Sequence, residues 1–403
     1  MSHIVVIGAG QAGSALCAKL RNAGFEGEIT LIGAEDKPPY QRPPLSKAYL
    51  MGEMAEERLY LRPEAFYGDN NISLRLGTPV SRVDTAAKQV EIGGACVGYD
   101  QLAITTGSDP RRLPDAIGGA LDGVFTVRTL ADIDRMAPSV VEGASVLVIG
   151  GGYIGLEAAA VAAKKGMKVT LVEMADRILQ RVAAPETSDY FRALHESHGV
   201  EILEGVGLER LTGDGRVSGA RLSNGRELSI DMAIVGVGIA PSVALAAEAG
   251  IRAENGIETD AFGRTSAPDV WAAGDCASLL FKGNRIRLES VQNAIDQAEV
   301  VAENMLGAEK EYRPSPWFWS DQYDVKLQIA GLNTGYDRVV TRPGDKPGVQ
   351  SHWYYQGDTL LAVDSMNDPR AYMVGKRLIE AGKSPDADLI ADPDTDLKPL
   401  LRA

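Results

Sequence analysis

Cysteine and histidine are both scarce in this chain, and the few that occur are scattered. The 403 residues include three cysteines, Cys17, Cys96 and Cys276, and four histidines. The cysteines are far apart and form no Cys-x-x-Cys, which excludes a disulfide framework and a clustered zinc or iron–sulfur site, so we expect no bound metal. We expect all three cysteines to be small buried hydrophobes. His195 and His198 lie in a predicted polar helix, and we expect both at the surface.

Long apolar runs and an excess of positive charge are also missing. No segment reaches the roughly eighteen uninterrupted apolar residues that a membrane helix needs. The first predicted strand begins so close to Met1 that no signal peptide fits before it, so we expect a cytoplasmic location. The chain has 41 Lys and Arg against 55 Asp and Glu, a formal net charge of −14. This balance argues against general nucleic-acid binding, and we expect neither nucleic acid nor membrane as a partner.

Two glycine fingerprints, Gly8–Gly13 and Gly150–Gly155, each follow a short apolar strand. Each predicts a buried strand, a tight turn and a helix start, in which backbone N–H groups can bind a pyrophosphate. One such fingerprint is weak evidence, but two in one chain predict two bound dinucleotides. A flavin and a nicotinamide are the natural pair. The sequence therefore predicts a flavoprotein that takes hydride from NAD(P)H.

Each fingerprint calls for an acidic residue at the end of the next strand, where it accepts hydrogen bonds from the adenosine ribose. Glu173 stands there in the second unit, and Glu35 and Asp36 are both available in the first. A carboxylate at Glu173 would repel a 2′-phosphate, and the nearest downstream base, Arg177, is four residues away. The sequence therefore predicts NADH rather than NADPH.

The order of the predicted elements divides the chain into three domains of α/β and α+β type. We predict a discontinuous FAD-binding domain over residues 1–110 and 243–316, with an NAD-binding domain inserted at residues 111–242. Residues 317–403 are predicted to form a C-terminal α+β domain. Its predicted elements are strands at 324–329, 350–355 and 359–364 and a helix at 368–380.

Six motifs carry a resemblance to a known family: residues 43–50, 127–130, 150–157, 273–276, 289–291 and 316–323. With them the chain resembles the NADH-dependent ferredoxin reductases of bacterial cytochrome P450 and Rieske oxygenase systems. The resemblance covers nearly the whole chain, and the Pro-Trp-Phe-Trp-Ser-Asp-Gln-Tyr block at 316–323 is its most specific part. It implies two Rossmann-like dinucleotide-binding domains arranged as in glutathione reductase, plus the C-terminal α+β domain.

The resemblance also implies roles for individual residues. Lys47 is similar to a lysine that lies against the reactive edge of the flavin, Glu157 to its acidic partner, and Trp319 to a tryptophan over the flavin. Trp317 and Trp319 have the alternative role of core aromatics. The family's ribose acid falls at Ala34 or Glu35, and we assign it to Glu35. The predicted FAD contacts are Gly8, Gly10, Ala12, Gly13, Glu35, Arg42, Lys47, Val80, Thr106, Gly107, Arg128, Asp275, Val291 and Trp319. The predicted nicotinamide-dinucleotide contacts are Gly150, Gly152, Tyr153, Ile154, Gly155, Glu157, Glu173 and Gly238.

The function that these residues imply is an FAD-dependent NADH:ferredoxin oxidoreductase, which passes electrons singly to a [2Fe–2S] ferredoxin serving a cytochrome P450 or a Rieske oxygenase. Lys282, Arg285 and Arg287 are candidate docking residues, and a monomer is the default. A rubredoxin reductase is an alternative, as is a slow NADH-sensing flavoprotein resembling apoptosis-inducing factor. A disulfide reductase, NADH oxidase or peroxidase is disfavoured, since those enzymes need a cysteine that the stretch between Cys17 and Cys96 lacks.

Overall fold

The computed structural model describes residues 2–402, and they form two compact units. The first unit consists of the chain up to Arg42 together with Met54–Asp109 and Ile239–Ser315. The second consists of Pro43–Glu53, Pro110–Gly238 and the chain from Pro316 onwards. Each unit is built around its own five-stranded parallel sheet. The three-domain boundaries predicted from the sequence stay a prediction.

The parallel sheet of the first unit has the first fingerprint strand at its centre. Its strands, in spatial order, are Val270–Ala272, Gln101–Ile104, His3–Ile7, Glu28–Ile32 and Ile72–Arg75. The central strand is buried from Ile4 to Ile7, as expected for a parallel strand covered on both faces. The helix Gln11–Asn22 packs on this sheet beside the helix Val291–Met305, and Leu16 and Val301 belong to the same apolar cluster.

The rest of the first unit is made of short helices and short strands, in which Gly256–Glu258 and Ala277–Phe281 pair in parallel. One sheet contains Val80–Asp84, Gln89–Ile92 and Ala95–Gly98, and another contains Ala253–Glu254, Gly256–Glu258, Ala277–Phe281 and Asn284–Ile286. Further short strands are Ser108–Pro110 and Ile239–Pro241. Short helices lie at Glu64–Asp69 and Ala244–Glu248, with a single 3₁₀ turn at Glu56–Arg58.

The second unit repeats the parallel βαβ plan. Its sheet order is Glu201–Glu204, Lys168–Glu173, Ser145–Ile149, Met232–Val235 and Val124–Thr126. The helices Leu130–Met136, Tyr153–Lys164 and Pro185–Ser197 accompany it, and an antiparallel sheet contains Leu208–Asp214, Arg216–Leu222 and Glu227–Ser229. Tight helical turns occur at Leu45–Tyr49, Asp115–Ile117 and Ala137–Ser139. This duplicated plan confirms the predicted α/β fold.

The C-terminal part of the second unit is a five-stranded antiparallel sheet covered by helices. The strand order is Trp317–Gln322, Val325–Gly331, Thr359–Met366, Gln350–Gln356 and Arg338–Pro343, with helices Pro369–Glu380 and Ala387–Ala391 and a last turn at Lys398–Leu401. The three predicted strands and the predicted helix are present. The strands Trp317–Gln322 and Arg338–Pro343 were not predicted, because neither has a clear period-2 alternation and the second ends in a proline.

Two expectations from the composition are wrong. Cys17 and Cys276 are buried, but Cys96 is exposed because it lies in an open strand, Ala95–Gly98, with little burial on either face. His195 has no exposed surface, whereas the neighbouring His198 is exposed. Across residues 2–402, no helix has both the length and the apolar character needed to cross a bilayer.

Candidate active site: two glycine cradles and a lysine–glutamate pair

The first glycine loop is a backbone cradle that only glycine permits. Gly8 has a φ of 112°, and a Cβ there would lie 2.2 Å from the Thr105 carbonyl oxygen. A Cβ on Gly13 would lie 2.0 Å from the Gly8 carbonyl oxygen. At Gly10 the surroundings are different: outside its own helix and chain neighbours, no atom of residues 2–402 lies within 4 Å of the Cβ position. Two glycines are therefore required by packing, and Gly10 leaves the helix start open to a ligand.

The end of the Val270–Ala272 strand lies against this cradle. Gly274 has a φ of 82°, and a Cβ on it would come within 3.0 Å of the Ala12 Cβ. This close approach holds Asp275 near the start of the fingerprint helix, and Asp275 is half-buried. Thr106 and Gly107 follow the adjacent strand, where the Thr106 hydroxyl donates to the Ser242 carbonyl at 2.7 Å. The first unit thus brings Gly8, Ala12, Gly13 and Asp275 together.

Glu35 lies after the second strand of this unit, and protein partners bind its carboxylate. Oε1 accepts from Arg42 Nη2 at 2.6 Å and Oε2 accepts from the Tyr40 hydroxyl at 2.5 Å. The guanidinium of Arg42 also lies 4.9 Å from the centre of the Tyr40 ring. Glu35 and Arg42, which were predicted separately, are therefore ion-pair partners, and Tyr40 is a third member that the sequence analysis did not identify.

The second glycine loop repeats the cradle in the second unit. Gly150 has a φ of 105°, and a Cβ there would lie 2.4 Å from the Gly236 carbonyl oxygen. A Cβ on Gly155 would lie 2.0 Å from the Gly150 carbonyl oxygen. Beside Gly152, as beside Gly10, the residues described leave the Cβ position without a neighbour within 4 Å outside the local helix. The two loops share the same packing requirement and the same open central glycine.

The Glu173 carboxylate binds the second loop directly. Its Oε2 accepts from the Gly151 N–H at 2.7 Å and its Oε1 from the Ala175 N–H at 2.8 Å. These two bonds fix the carboxylate at the carboxyl end of its strand, next to the glycines. This is the place expected for an acid that binds a ribose with a free 2′-hydroxyl.

Lys47 and Glu157 form the ion pair that the resemblance implies. Lys47 Nζ donates to Glu157 Oε2 at 2.6 Å, and the Ser320 hydroxyl donates to Glu157 Oε1 at 2.8 Å. The Glu157 side chain is 9% exposed and that of Lys47 is 21% exposed. Burial raises the pKa of Glu157, and the positive charge and hydrogen bond of Lys47 oppose that rise. The pair is thus a fixed, partly shielded cation beside a buried carboxylate.

The backbone at Lys47 departs from helical geometry. Within the turn Leu45–Tyr49 its φ and ψ are −126° and −109°. Two prolines, Pro43 and Pro44, precede the turn and restrict the chain at its entrance. The Pro43 carbonyl accepts from Lys47 Nζ at 3.3 Å. The proline-rich segment therefore aims the ammonium group at Glu157.

One aromatic residue of the 316–323 block, Phe318, packs against Tyr153 at the start of the second fingerprint helix. The ring of Phe318 lies 5.0 Å from that of Tyr153, and Trp319 lies 5.5 Å from Trp317. Trp317 packs against the core of the C-terminal sheet, and Trp319 is only half-buried. The Tyr153 hydroxyl is buried, and among residues 2–402 it has no hydrogen-bond partner.

The remaining predicted residues are more dispersed. Val80 is buried in the core of the first unit, and Val291 begins a helix whose Ser290 cap accepts from the Asn293 N–H at 3.1 Å.

Three further predicted residues lie in the second unit. Arg128 belongs to the second unit. Ile154 is 43% exposed, and Gly238 has a φ of 99° with Arg181 within 3.6 Å of its Cβ position.

The candidate docking cations differ in accessibility. Lys282 is exposed, and the guanidinium of Arg285 donates to the Ser278 carbonyl at 2.7 Å. The Arg287 side chain is only 10% exposed and pairs with Glu289 at 2.5 Å. It also donates to the Asp275 carbonyl at 3.0 Å. Arg287 therefore braces the Asp275 turn and offers little charge at the surface.

Comparisons with known proteins match the whole chain. The model of the pyridine nucleotide-disulphide oxidoreductase family matches residues 2–298, and a reductase C-terminal domain matches residues 317–401. A ferredoxin–NAD(P)(+) reductase from a Sphingomonas species is 45% identical over 94% of this chain and 92% of its own length. Rhodocoxin reductase of Rhodococcus erythropolis is 42% identical over 98% of this chain and 93% of its own.

A solved structure has the same fold as this chain over its whole length. The reductase in a covalent putidaredoxin reductase–putidaredoxin complex is 37% identical, with a TM-score of 0.96, covering all of this chain and 98% of its own. Backbone cradles with open central glycines are what two dinucleotides require, so the geometry fits both cofactors. The chain therefore belongs to the pyridine nucleotide-disulphide oxidoreductase family, and it is a flavoprotein oxidoreductase that uses FAD and NAD(H).

Proposed function

We propose that the chain is an FAD-dependent NADH:ferredoxin oxidoreductase that delivers electrons one at a time to a [2Fe–2S] ferredoxin of a cytochrome P450 or Rieske oxygenase system. The observation that carries the proposal is the Lys47–Glu157 pair, held at 2.6 Å in a chain that has no cysteine pair to receive electrons. The similarity to the Sphingomonas enzyme, which is named as a ferredoxin reductase, supports the choice of acceptor.

When bound, FAD would supply the redox chemistry, since a flavin can take up two electrons as hydride and give them up singly. The protein residues bind and orient. In our proposal Gly8, Gly10 and Gly13 bind the FAD pyrophosphate, and Asp275 binds its ribityl chain. Lys47 places a positive charge beside the ring system and thereby favours the electron-rich reduced form. Glu157 keeps that ammonium group in position.

The cysteines support release of electrons without a thiol relay. Burial raises the pKa of Cys17 to about 12, and burial also raises the pKa of Cys276. A thiol with a raised pKa has little thiolate at neutral pH and is a poor redox partner. Cys96 is exposed but has no second cysteine nearby in the sequence. A disulfide reductase or peroxidase would need a reactive thiol, so we assign the outgoing step to single-electron transfer.

The nicotinamide side of the proposal depends on Glu173. Its carboxylate is fixed by the Gly151 and Ala175 N–H groups, where it would accept bonds from a ribose 2′-hydroxyl and repel a 2′-phosphate. We therefore propose NADH as the physiological donor, bound at Gly150, Gly152, Gly155 and Gly238.

Ferredoxin docking requires a local cationic surface on a chain of net charge −14. We propose that Lys282 and Arg285 contribute to it, and that Trp319 lies on the electron path. Arg287 is withdrawn from this role because its side chain pairs with Glu289. The cytoplasmic location and the monomeric state stay predictions.

The test is NADH-driven reduction of cytochrome c by the FAD-loaded protein, with and without a [2Fe–2S] ferredoxin. We expect the rate to depend on the ferredoxin. The double variant K282E/R285E is expected to raise the ferredoxin KM about tenfold, since rim charges act mainly on encounter, while NADH-to-ferricyanide turnover is retained. A matched control, K168E, reverses an exposed lysine of the second unit.

The alternatives are separate outcomes of the same assay. A rate that rises with rubredoxin but with none of several ferredoxins would replace the acceptor and leave the flavin chemistry intact. Normal flavin reduction by NADH with slow transfer to every carrier would favour a sensing role. Both outcomes would contradict the proposed function.

A further inference from the structure

A chain of hydrogen bonds continues from Glu157 into the interior of the second unit. The Ser320 hydroxyl binds Glu157 Oε1 at 2.8 Å, and Gln322 Nε2 donates to Ser320 Oγ at 3.1 Å. Gln322 Oε1 lies 2.8 Å from His195 Nε2, and His195 Nδ1 lies 3.2 Å from the Tyr323 hydroxyl. Four consecutive hydrogen bonds thus connect Tyr323 to the carboxylate that pairs with Lys47.

The donors of this chain all point in one direction. Gln322 uses its NH₂ group towards Ser320, so its carbonyl oxygen must accept from His195. His195 therefore carries its proton on Nε2, and its Nδ1 accepts from the Tyr323 hydroxyl. Because Ser320 Oγ accepts from Gln322, the Ser320 proton is directed to Glu157. The arrangement delivers a hydrogen-bond donor to Oε1, while Lys47 delivers one to Oε2, and this favours an ionised Glu157.

Burial holds the residues of this hydrogen-bond chain in place. Ser320, Gln322 and His195 have no exposed surface. Burial, opposed by the Gln322 hydrogen bond, lowers the pKa of His195 to about 4, so the ring is neutral near pH 7. Besides Lys47, the charged group Asp321 also acts on Glu157, and its negative charge raises the Glu157 pKa and favours the protonated form. His198, the residue directly after the helix Pro185–Ser197, disfavours protonation of His195.

The turn at the far end of the chain is strained in order to position Tyr323. Tyr323 has a φ of 56°, a left-handed conformation that is unfavourable for a residue with a side chain. It occupies the tight connection between the strands Trp317–Gln322 and Val325–Gly331. The ring of His198 stacks on Tyr323 at 3.7 Å and 14°. The strained conformation is thus the one in which the Tyr323 hydroxyl reaches His195.

We propose that Ser320, Gln322 and His195 are positioning residues for the flavin reaction, which act by holding the Glu157 carboxylate in the orientation that binds Lys47. This inference deepens the proposed function and rests on the placement of Lys47 at the flavin. The hydrogen-bond chain moves no proton to the substrate. It orients the Glu157 carboxylate. Removing any member should weaken the Lys47–Glu157 pair, with an effect that diminishes with distance from Glu157.

The tautomer of His195 is the first test, and it needs neither FAD nor NADH turnover. Histidine ¹⁵N correlation spectra of the protein between pH 5.5 and 8 are expected to show one ring protonated on Nε2 only, with no titration. The signal is assigned by its loss in His195→Phe. Gln322→Met, which removes the amide but keeps the length, should abolish this fixed tautomer. A His195 ring protonated on Nδ1, or titrating near its usual pKa, would overturn the proposal.

The second test is the pH profile of flavin reduction by NADH, followed by stopped flow. We expect the rate to fall at acid pH as Glu157 takes up a proton. Ser320→Ala removes one charge-assisted hydrogen bond, so the midpoint should move up by about one pH unit. His195→Phe should move it in the same direction by less, and Ser320→Thr, which keeps the hydroxyl, should restore it.

The matched control is His352→Phe. His352 is also fully buried, and burial lowers its pKa to about 4, but it binds Thr187 at 2.7 Å outside this chain. Its substitution should leave the midpoint unchanged. Equal shifts in the two histidine variants would assign the effect to general destabilisation and contradict the proposal. Loss of ferredoxin-dependent turnover alone, with a normal NADH-to-ferricyanide rate, would count against the proposed acceptor and not against the positioning chain.

Discussion

The loops Gly8–Gly13 and Gly150–Gly155 have similar backbone geometry, but the helices that follow them carry different residues. In each, a Cβ at the last glycine would lie 2.0 Å from the carbonyl oxygen of the first. Two residues after that glycine, the first helix has Ala15 and the second has Glu157. Ala15 is buried in the apolar core of its unit, whereas Glu157 binds Lys47 and Ser320.

The acids that follow the two loops differ as well. Glu173 accepts a hydrogen bond from the Gly151 N–H of the loop itself, whereas Glu35 is bound by Tyr40 and Arg42. The same fingerprint thus supports a pure binding element in one unit. In the other it supports a binding element that also carries the buried Glu157 carboxylate, for which we propose a role at the flavin. The glycine pattern predicts that a dinucleotide binds. The residues on the following helix and strand determine how the two sites differ in chemistry.

The largest expected effect separates the two cradles. Gly13→Ala and Gly155→Ala each force a Cβ into a carbonyl oxygen, a clash that costs cofactor affinity by about 100-fold. Gly13→Ala should lose FAD, whereas Gly155→Ala should keep FAD and raise the KM for NADH. The measurements are the FAD-to-protein absorbance ratio and steady-state kinetics with ferricyanide. Loss of FAD in Gly155→Ala with an unchanged NADH KM would contradict the assignment of FAD to the first loop and NADH to the second.

The next effect tests the carboxylate that only the second helix carries. Glu157→Gln keeps an oxygen for Ser320 but turns an NH₂ group towards the Lys47 ammonium, so two donors face each other. Flavin reduction by NADH should slow by roughly 100-fold with little change in FAD content. Stopped-flow absorbance measures the rate. Ala15→Ser, the matching position of the first helix, is the control, and an equal loss there would contradict the distinction.

An acid-dependent loss of stability should be specific to the second unit. A neutral buried His195, with a pKa of about 4 against an ordinary value of 6.5, gives stability that is present above pH 6.5 and is lost as pH falls towards 4. The full loss is roughly 3 kcal/mol. Urea unfolding of wild type and His195→Phe at pH 7 and pH 5 measures it.

The variant should lose less stability than wild type on going from pH 7 to pH 5. His352, with a pKa of about 4, and Asp364, whose burial raises its pKa to about 6, titrate in both proteins. Their effects therefore cancel in the difference. Parallel pH profiles for the two proteins would show that His195 is not buried as a neutral ring.

The smallest effect concerns cofactor choice. Glu173→Gln removes the negative charge beside the second loop but keeps its hydrogen-bonding length. The preference for NADH over NADPH, as a ratio of kcat/KM values, should fall about tenfold, or about 1.4 kcal/mol. Glu35→Gln is the matched change at the first loop and should leave that ratio unaltered. A shift of equal size in both variants would argue against separate dinucleotide sites.

The sequence predicted best those features whose physical cause is local. The glycine loops follow from clashes between residues five positions apart, such as Gly8 and Gly13, and a fingerprint records them directly. The Lys47–Glu157 pair joins residues 110 positions apart, and no local pattern contains it. It was predicted only through the family resemblance.

The features that the sequence analysis missed depend on distant partners. His195 looked like a surface residue of a polar helix, but its partner Gln322 lies 127 positions away. One signal was available, because Thr187, Phe191 and His195 recur every four residues and, with Ser188, form the buried face of the helix Pro185–Ser197. Tyr40 as a partner of Glu35 and Arg287 as a partner of Glu289 likewise depend on side-chain geometry that composition does not reveal.

Electron transfer from NADH through FAD to ferredoxin is tested most directly by an anaerobic titration of the FAD-loaded protein with NADH, followed by oxidised [2Fe–2S] ferredoxin. We expect one equivalent of NADH to bleach the flavin absorbance completely, and two equivalents of ferredoxin to restore it. A flavin that stays reduced in the presence of ferredoxin, or one that is reoxidised only by a disulfide, would contradict electron transfer to ferredoxin.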